Sequence, residues 1–130
     1  MNNKKTFDVK RGDIFMVDLG SEEEAVGSEQ FGIRPVVVTQ CNKQNGKSTT
    51  IIVAIITSQI KKEKMECHMI LPKIKGLPKQ SMVCCEQRRT IDKQRILSYC
   101  CTLNRKTMKK VTRACHKAEE DDTDNDQRYW

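Results

Sequence analysis

The sequence has few aromatic residues and no long apolar run. It contains three Phe, two Tyr and one Trp among 130 residues, which is few for a protein that binds nucleic acid mainly by stacking bases on aromatic rings. No apolar stretch reaches the roughly 18 residues of a membrane-spanning helix. The basic N-terminus is not followed by the apolar segment of a secretory signal. We therefore expect one domain, located in the cytoplasm and without a membrane partner.

The familiar catalytic and metal-binding motifs are also missing. The sequence has no HExxH, GxSxG, P-loop or GxGxxG motif. Its two histidines, His68 and His116, fall in a predicted strand and a predicted helix, and no pattern brings them together as a catalytic pair. Seven cysteines are present without any CxxC spacing, so we expect reduced thiols, no zinc site and no cofactor.

Positive charge is abundant, and it is concentrated in one half of the chain. The net charge is +7 over the whole sequence. Residues 1–58 are neutral, residues 59–117 carry sixteen Lys and Arg against four acids, and residues 118–130 carry six acids against one Arg. A basic half of this size indicates a polyanionic partner, although a lysine-rich solvated surface would have the same composition.

A β-hairpin is the clearest structural prediction. PVVVTQ at 35–40 and TTIIVAII at 49–56 are rich in β-branched residues, and Asn45-Gly46 lies between them as a hairpin turn. With that dipeptide at the tip, the numbers of paired residues sum to about 91. Arg34 and Thr57 then lie side by side at the open end of the hairpin. Periodicity alone would equally allow a surface arginine and a threonine that ends a strand.

Further short strands are predicted at residues 14–19, 67–71 and 81–91, with a long loop over 20–33. The helical spacing of Met108, Val111, Cys115 and Ala118 predicts a C-terminal helix that begins after Asn104 as its N-cap. These elements predict a mainly β fold with a C-terminal helix (α+β), built as a small bent sheet or as an OB-like or SH3-like barrel.

Five segments in this order resemble the MazF/PemK family of bacterial toxins. They are VKRGDIFMVDLG, GSEQFGIRPVVVTQ, TTIIVAIITSQIKK, HMIL and EQRRTIDKQRI, within residues 9–118. The resemblance implies a small SH3-like, CcdB/MazF-type barrel of five to seven short strands that forms a homodimer. It also implies a metal-independent endoribonuclease that cuts single-stranded RNA and is silenced by a cognate antitoxin.

The family's motifs imply a catalytic pair and a set of RNA-binding positions in this chain. The catalytic arginine and threonine correspond to Arg34 and Thr57, and Phe31 stands where the family often has glycine. The remaining RNA contacts are expected from the GSEQ loop, the segment after the central strand, and the EQRRTIDKQR segment. These positions are Ser28, Glu29, Gln30, Ser58, Gln59, Lys61, Lys62, Lys64, Gln87, Arg88, Arg89, Lys93 and Arg95.

The predicted organisation is a flexible N-terminal arm at residues 1–8, a toxin domain at 9–118 and an acidic, disordered tail at 119–130. The expected products are a 2′,3′-cyclic phosphate and a 5′-hydroxyl, formed by attack of the RNA's own 2′-hydroxyl. Two alternatives remain at this stage. One is a nucleic-acid-binding barrel that does not cleave, and the other is a CcdB-like topoisomerase poison on the same fold.

Overall fold

The computed structural model describes residues 7–27 and 29–120. Its described strands form one six-stranded sheet in the order β4-β5-β3-β2-β1-β6, and all neighbouring strands are antiparallel. The strands are β1 (Asp13–Asp18), β2 (Ile33–Val38), β3 (Thr50–Thr57), β4 (His68–Ile70), β5 (Met82–Asp92) and β6 (Ile96–Thr102). A short helix, α1 (Asn42–Asn45), follows β2, and the long helix α2 (Arg105–Glu119) follows β6. The predicted fold class is confirmed.

The sheet is buried on both faces along residues 53–56 of β3, which explains why this strand reads as a nearly continuous apolar run. Ala54 and Ile56 of β3 point into a core cluster that α2 covers. Val53 and Ile55, which alternate with them, point into the second cluster on the opposite face. Both clusters are closed to water, since all four side chains are at most 1% exposed.

The α2 helix begins where the sequence predicts. The Asn104 side chain accepts a hydrogen bond from the backbone N–H of Thr107 at 2.8 Å, and this contact satisfies one of the unpaired amides at the helix start. Met108, Val111 and Cys115 are buried against the sheet. Residues 7–27 and 29–120 contain no helix that combines the length and the apolar character needed to cross a membrane.

The hairpin prediction is right in its register and wrong in its turn. Val36 pairs with Ile55 and Val38 with Val53, so the residue numbers sum to 91 as expected. The connection, however, is the helical turn α1 rather than a two-residue turn at Asn45-Gly46. The Asn45 amide is buried and donates to the carbonyl of Gln40 at 2.9 Å, and this local bond favours the wider connection.

The β5 strand contains the main irregularity of the sheet. Ala54 of β3 pairs with Arg88, whereas the next residue, Ile55, pairs with Cys84. Three β5 residues, 85–87, therefore have no partner on β3. Such bulges bend a strand and redirect side chains, often beside functional sites. Here the bulge determines where the side chains of residues 86 and 87 lie.

Both ends of the predicted domain fall close to the limits of the described chain. The Phe7 ring, which the sequence assigns to a flexible arm, contacts the Phe15 ring edge to face at 5.6 Å. The α2 helix continues one residue past the predicted boundary, to Glu119. Residues 1–6 and 121–130 lie outside the described residues, so the flexible arm and the disordered tail stay predictions.

Candidate active site

Arg34 and Thr57 lie at the same end of the sheet. Arg34 is on β2 and pairs with Val17 of β1, and Thr57 is the last residue of β3, opposite Met82 of β5. Extending the β2–β3 register by two residues places Arg34 across from Thr57, since the two numbers again sum to 91. Both residues are partly exposed, so the two side chains are accessible at one rim.

The Arg34 guanidinium is oriented by its own loop. Its Nε donates to the Phe31 carbonyl oxygen at 3.0 Å, and the guanidinium carbon lies 6.0 Å from the centre of the Phe31 ring, within the range of a cation–π contact. Among the described residues, Nη1 and Nη2 have no hydrogen-bond partner. These two nitrogens form the planar fork that binds a phosphate with two hydrogen bonds.

The Thr57 hydroxyl is also oriented by the protein, and it keeps its ability to donate a hydrogen bond. Its oxygen accepts a hydrogen bond from the backbone N–H of Gln59 at 3.1 Å. That contact uses a lone pair and leaves the O–H proton available to donate. A fixed hydroxyl donor across from a guanidinium fork can bind a second oxygen of the same phosphate.

A groove of about 540 Å³ runs beside this rim, between the β1–β2 loop and β5. Basic side chains from β5 and the following turn line one wall, and acidic and small side chains from the loop line the other. The lining residues are Leu19, Ser21, Glu24, Ala25, Val26, Glu29, Gln30, Ile55, Gln87, Arg88, Arg89 and Arg95. Six of the expected RNA-binding residues therefore share one groove.

The arginines of the groove are already bonded to the protein. Arg89 Nη1 lies 3.5 Å from the Leu19 carbonyl oxygen and 3.4 Å from that of Gln30, at the two ends of the β1–β2 loop. Arg95 donates to the Asp18 carbonyl oxygen at 3.1 Å. Arg88 donates to the carbonyl of Cys85 at 3.1 Å and forms an ion pair with Glu119 at the end of α2.

The other expected RNA contacts are dispersed. Five of them lie in the segment after β3, close in sequence to Thr57, and all five are exposed to solvent. They are Ser58, Gln59, Lys61, Lys62 and Lys64. Lys93 lies at the opposite end of β3, where its Nζ donates to the Asn45 carbonyl at 2.6 Å. Lys93 is therefore separated from Thr57 by the length of β3, which is about 23 Å at roughly 3.3 Å per residue.

Ser28 lies outside the described residues, so its predicted contact stays a prediction. Glu29, the next residue, is exposed and accepts a hydrogen bond from the Val26 backbone N–H at 2.7 Å. That contact folds the loop tip back on itself. The carboxylate is an acceptor only and would repel a phosphate at this place.

A polar pair that sequence patterns do not predict joins β4 to the bulge of β5. His68 Nε2 lies 2.7 Å from a Glu86 carboxylate oxygen, and His68 Nδ1 lies 2.9 Å from the Lys62 carbonyl oxygen. Burial of the imidazole acts to lower its pKa, but the bonds to Glu86 and to the carbonyl act together to raise the pKa of His68 above its usual value. The sequence gives no signal for this pair, because the bulge at residues 85–87 cannot be read from the alternation of apolar and polar residues.

Comparison with known proteins identifies related chains. A family model described as a PemK-like, MazF-like toxin of a type II toxin–antitoxin system matches residues 10–118. The endoribonuclease EndoA of Bacillus subtilis is 46% identical over 107 residues, which cover 82% of this chain and 90% of that protein. The endoribonuclease MazF of Staphylococcus saprophyticus is 43% identical, with 82% and 87% covered. A mycobacterial endoribonuclease solved in complex with its cognate antitoxin has the same fold, with a TM-score of 0.71, 18% identity, and 85% and 94% covered.

Proposed function

Because this chain belongs to the PemK/MazF family of type II toxins, we propose that it is an endoribonuclease that cuts single-stranded RNA with Arg34 and Thr57. The observation that carries this proposal is the rim itself. Two side chains from neighbouring strand ends present a guanidinium fork and a hydroxyl donor that the described protein leaves unbonded. That arrangement fits the non-bridging oxygens of one phosphate group.

RNA contains its own nucleophile, the 2′-hydroxyl. The main task of the enzyme is therefore to stabilise the negative charge that develops as this group attacks phosphorus. The 2′-oxygen attacks the adjacent phosphorus and the bond from phosphorus to the 5′-oxygen breaks. The 2′-hydroxyl loses a proton, the leaving 5′-oxygen gains one, and the products carry a 2′,3′-cyclic phosphate and a 5′-hydroxyl. Negative charge builds on the phosphorane oxygens, where Arg34 stabilises it. An arginine guanidinium holds its proton too tightly to be a good general base.

The RNA strand itself is proposed to follow the basic surface on both sides of this rim. The lysines after β3 supply phosphate contacts without fixing a base sequence. The groove beside β5 admits the bases, with the Gln87 side chain as a neutral donor and acceptor among the arginines. The cytoplasm is the compartment where such a strand of messenger RNA is available.

We also propose a homodimer. Ile33 and Leu97 are 60% and 45% exposed. They lie on either side of the end of β1, since Ile33 pairs with Asp18 and the neighbour of Leu97, Ile96, pairs with Val17. Exposed apolar side chains next to Arg34 favour the binding of a second copy of the chain to this surface. A twofold axis there would join the basic surfaces of the two copies into one continuous track for RNA.

The proposed inhibitor is a small antitoxin with an acidic, apolar segment that lies along this track. Such a segment would be drawn by charge to the lysines and would cover Arg34 as it folds on the surface. The family of this chain is defined by toxins of toxin–antitoxin pairs.

One experiment separates the proposed reaction from its alternatives. Purified protein is incubated with a single-stranded RNA in excess EDTA, and the fragment ends are analysed by mass. We expect cleavage with cyclic phosphate and 5′-hydroxyl ends. Binding without cleavage would support the non-catalytic barrel, and loss of DNA gyrase activity without RNA cleavage would support the topoisomerase poison. Fragments with a 5′-phosphate would mean that water is the nucleophile.

A further inference from the structure

Three side chains of different types meet at the edge of the sheet, outside the Arg34–Thr57 rim. Cys67 precedes β4, His68 begins it, and Glu86 lies in the bulge of β5. One Sγ, one imidazole nitrogen and one carboxylate oxygen from these residues all lie within 4.8 Å of one another. The Cys67 side chain belongs to a buried core cluster, and the His68 side chain is only 7% exposed.

Hydrogen bonding fixes which nitrogen of His68 faces the cluster. Nδ1 lies 2.9 Å from the Lys62 carbonyl oxygen, which can only accept, so Nδ1 carries the hydrogen. In the neutral ring Nε2 then has a lone pair, and it faces a carboxylate oxygen at 2.7 Å. Two acceptors at this distance need a cation between them, either a proton or a metal ion.

The backbone holds these groups in place. Lys62 has a left-handed conformation with φ 53°, which places its carbonyl against the ring of His68. The Cys67 carbonyl accepts from the backbone N–H of Cys85 at 2.9 Å, and His68 pairs with Cys84. A histidine whose second nitrogen donates to a backbone carbonyl is the usual arrangement behind a metal ligand.

We propose that Cys67, His68 and Glu86 form a Zn²⁺ site with an open fourth position. The choice of metal follows from the donor set, since a thiolate, an imidazole and a carboxylate together suit Zn²⁺. A tetrahedral ion would place its ligand atoms about 3.3–3.6 Å apart, given bond lengths of about 2.0–2.3 Å. The partly exposed Glu86 carboxylate can rotate by the small distance required.

Cys67 is the residue that distinguishes a metal from a proton. A shared proton between His68 and Glu86 needs no third ligand, whereas a zinc ion requires the thiol. On binding, the Cys67 Sγ–H bond loses its proton to solvent and the His68–Glu86 pair releases the proton that it shares. The bound ion would fasten the lysine segment before β4 to the bulge of β5. Neither Arg34 nor Thr57 belongs to this cluster, and the ion is assigned no step of the proposed cleavage.

The test is binding of Zn²⁺ and Co²⁺ to EDTA-stripped full-length protein, kept reduced with a phosphine. Zn²⁺ is titrated against a chromophoric chelator, and Co²⁺ is followed by its thiolate charge-transfer band. We expect one ion per chain, the thiolate band, and a higher unfolding temperature with Zn²⁺. Cys67→Ser should remove the band and weaken Zn²⁺ binding by about 100-fold or more, since even indirect ligand partners are worth about 10–100-fold.

Matched controls keep the outcome decisive. Cys41→Ser removes an exposed cysteine far from the cluster in sequence and should leave binding and band unchanged. Glu86→Gln keeps the shape of the third ligand and should weaken binding while the thiolate band persists. Absence of binding at a large molar excess of Zn²⁺, or binding that survives Cys67→Ser unchanged, would overturn the proposal. Because no readout involves RNA, these results are independent of the proposed cleavage activity.

Discussion

Arg34 and Arg89 both border the β1–β2 loop, but their guanidinium groups are used differently. Arg34 bonds to the protein through Nε alone and keeps its two terminal nitrogens unbonded among the described residues. Arg89 directs a terminal nitrogen to the carbonyls of Leu19 and Gln30, at either end of the loop. The two residues carry the same charge and border the same loop, so only their contacts distinguish a guanidinium with unbonded terminal nitrogens from one that bonds the loop.

Removing Arg34 should have the largest effect. Arg34→Ala should lower the cleavage rate by about 10²–10³-fold or more, the loss seen when one donor to a developing oxyanion is removed. Stability should change little, because the residue is only partly buried and its one hydrogen bond is local. Single-turnover cleavage beside circular dichroism measures both. A folded Arg34→Ala protein with wild-type rates would refute the assignment.

Removing the Thr57 hydroxyl should cost less. One hydrogen bond to a charged group is worth about 1.5–3 kcal/mol, which corresponds to roughly a 10- to 150-fold loss of rate in Thr57→Ala. Thr57→Ser is the matched control, since it keeps the hydroxyl, and it should retain most of the rate. Equal losses in both variants would show that the methyl group, and not the hydroxyl, matters.

Arg89 gives the sharpest test of the comparison. If its role is to hold the loop, Arg89→Ala and Arg89→Lys should both raise KM by about fivefold, the equivalent of about 1 kcal/mol for its long hydrogen bonds. A lysine keeps the charge, but its shorter side chain does not bring a donor to the place where Nη1 meets both carbonyls. Full rescue by Arg89→Lys would instead identify a phosphate contact and remove the distinction from Arg34.

The lysine segment after β3 should act through charge alone. Replacing Lys61, Lys62 and Lys64 together by Ala should reduce the slope of log affinity against log salt by about 2, at about 0.7 per phosphate contact on a single strand. The control replaces three exposed lysines of α2, Lys106, Lys109 and Lys110, and should leave the slope closer to the wild-type value. Similar slopes in the two triple variants would mean that RNA does not follow the segment after β3.

The smallest effect concerns stability rather than activity. The pKa of His68 is raised in the folded protein, so its stabilising contribution is fully present below the unfolded value of about 6.5 and is lost as the pH rises through the folded pKa. Urea unfolding in EDTA should therefore show a decline in stability above pH 6.5 that is reduced in His68→Gln. An identical pH profile in both proteins would contradict the pairing of His68 with Glu86.

The fold was predictable where one physical signal dominates. The β-branched runs on either side of Asn45 specify the hairpin, and its register follows from the length of the connection, although α1 replaces the expected turn. The Asn104 cap and the spacing of Met108 and Val111 specify the helix. These features depend on residues close together in the sequence, so local chemistry is enough to predict them.

The site was predictable only in part. The positions of Arg34 and Thr57 follow from the hairpin, and the family resemblance gives the chemistry expected of them. The cluster of Cys67, His68 and Glu86 was not predictable, because it depends on a three-residue bulge whose location is set by packing against β3 and β4. The alternation of apolar residues along one strand does not show where a bulge lies, because a bulge is defined by the pairing with the neighbouring strands.

The pairing of β6 with β1 also bears on how the chain is made. The β1 strand finds one of its two neighbours only after residues 96–102 have emerged from the ribosome, and α2, which covers one core cluster, follows still later. Long-range closure of this kind delays folding until most of the chain is present. A nuclease assembled in this order becomes active only after β6 and α2 have been synthesised, well after the strands that carry Arg34 and Thr57.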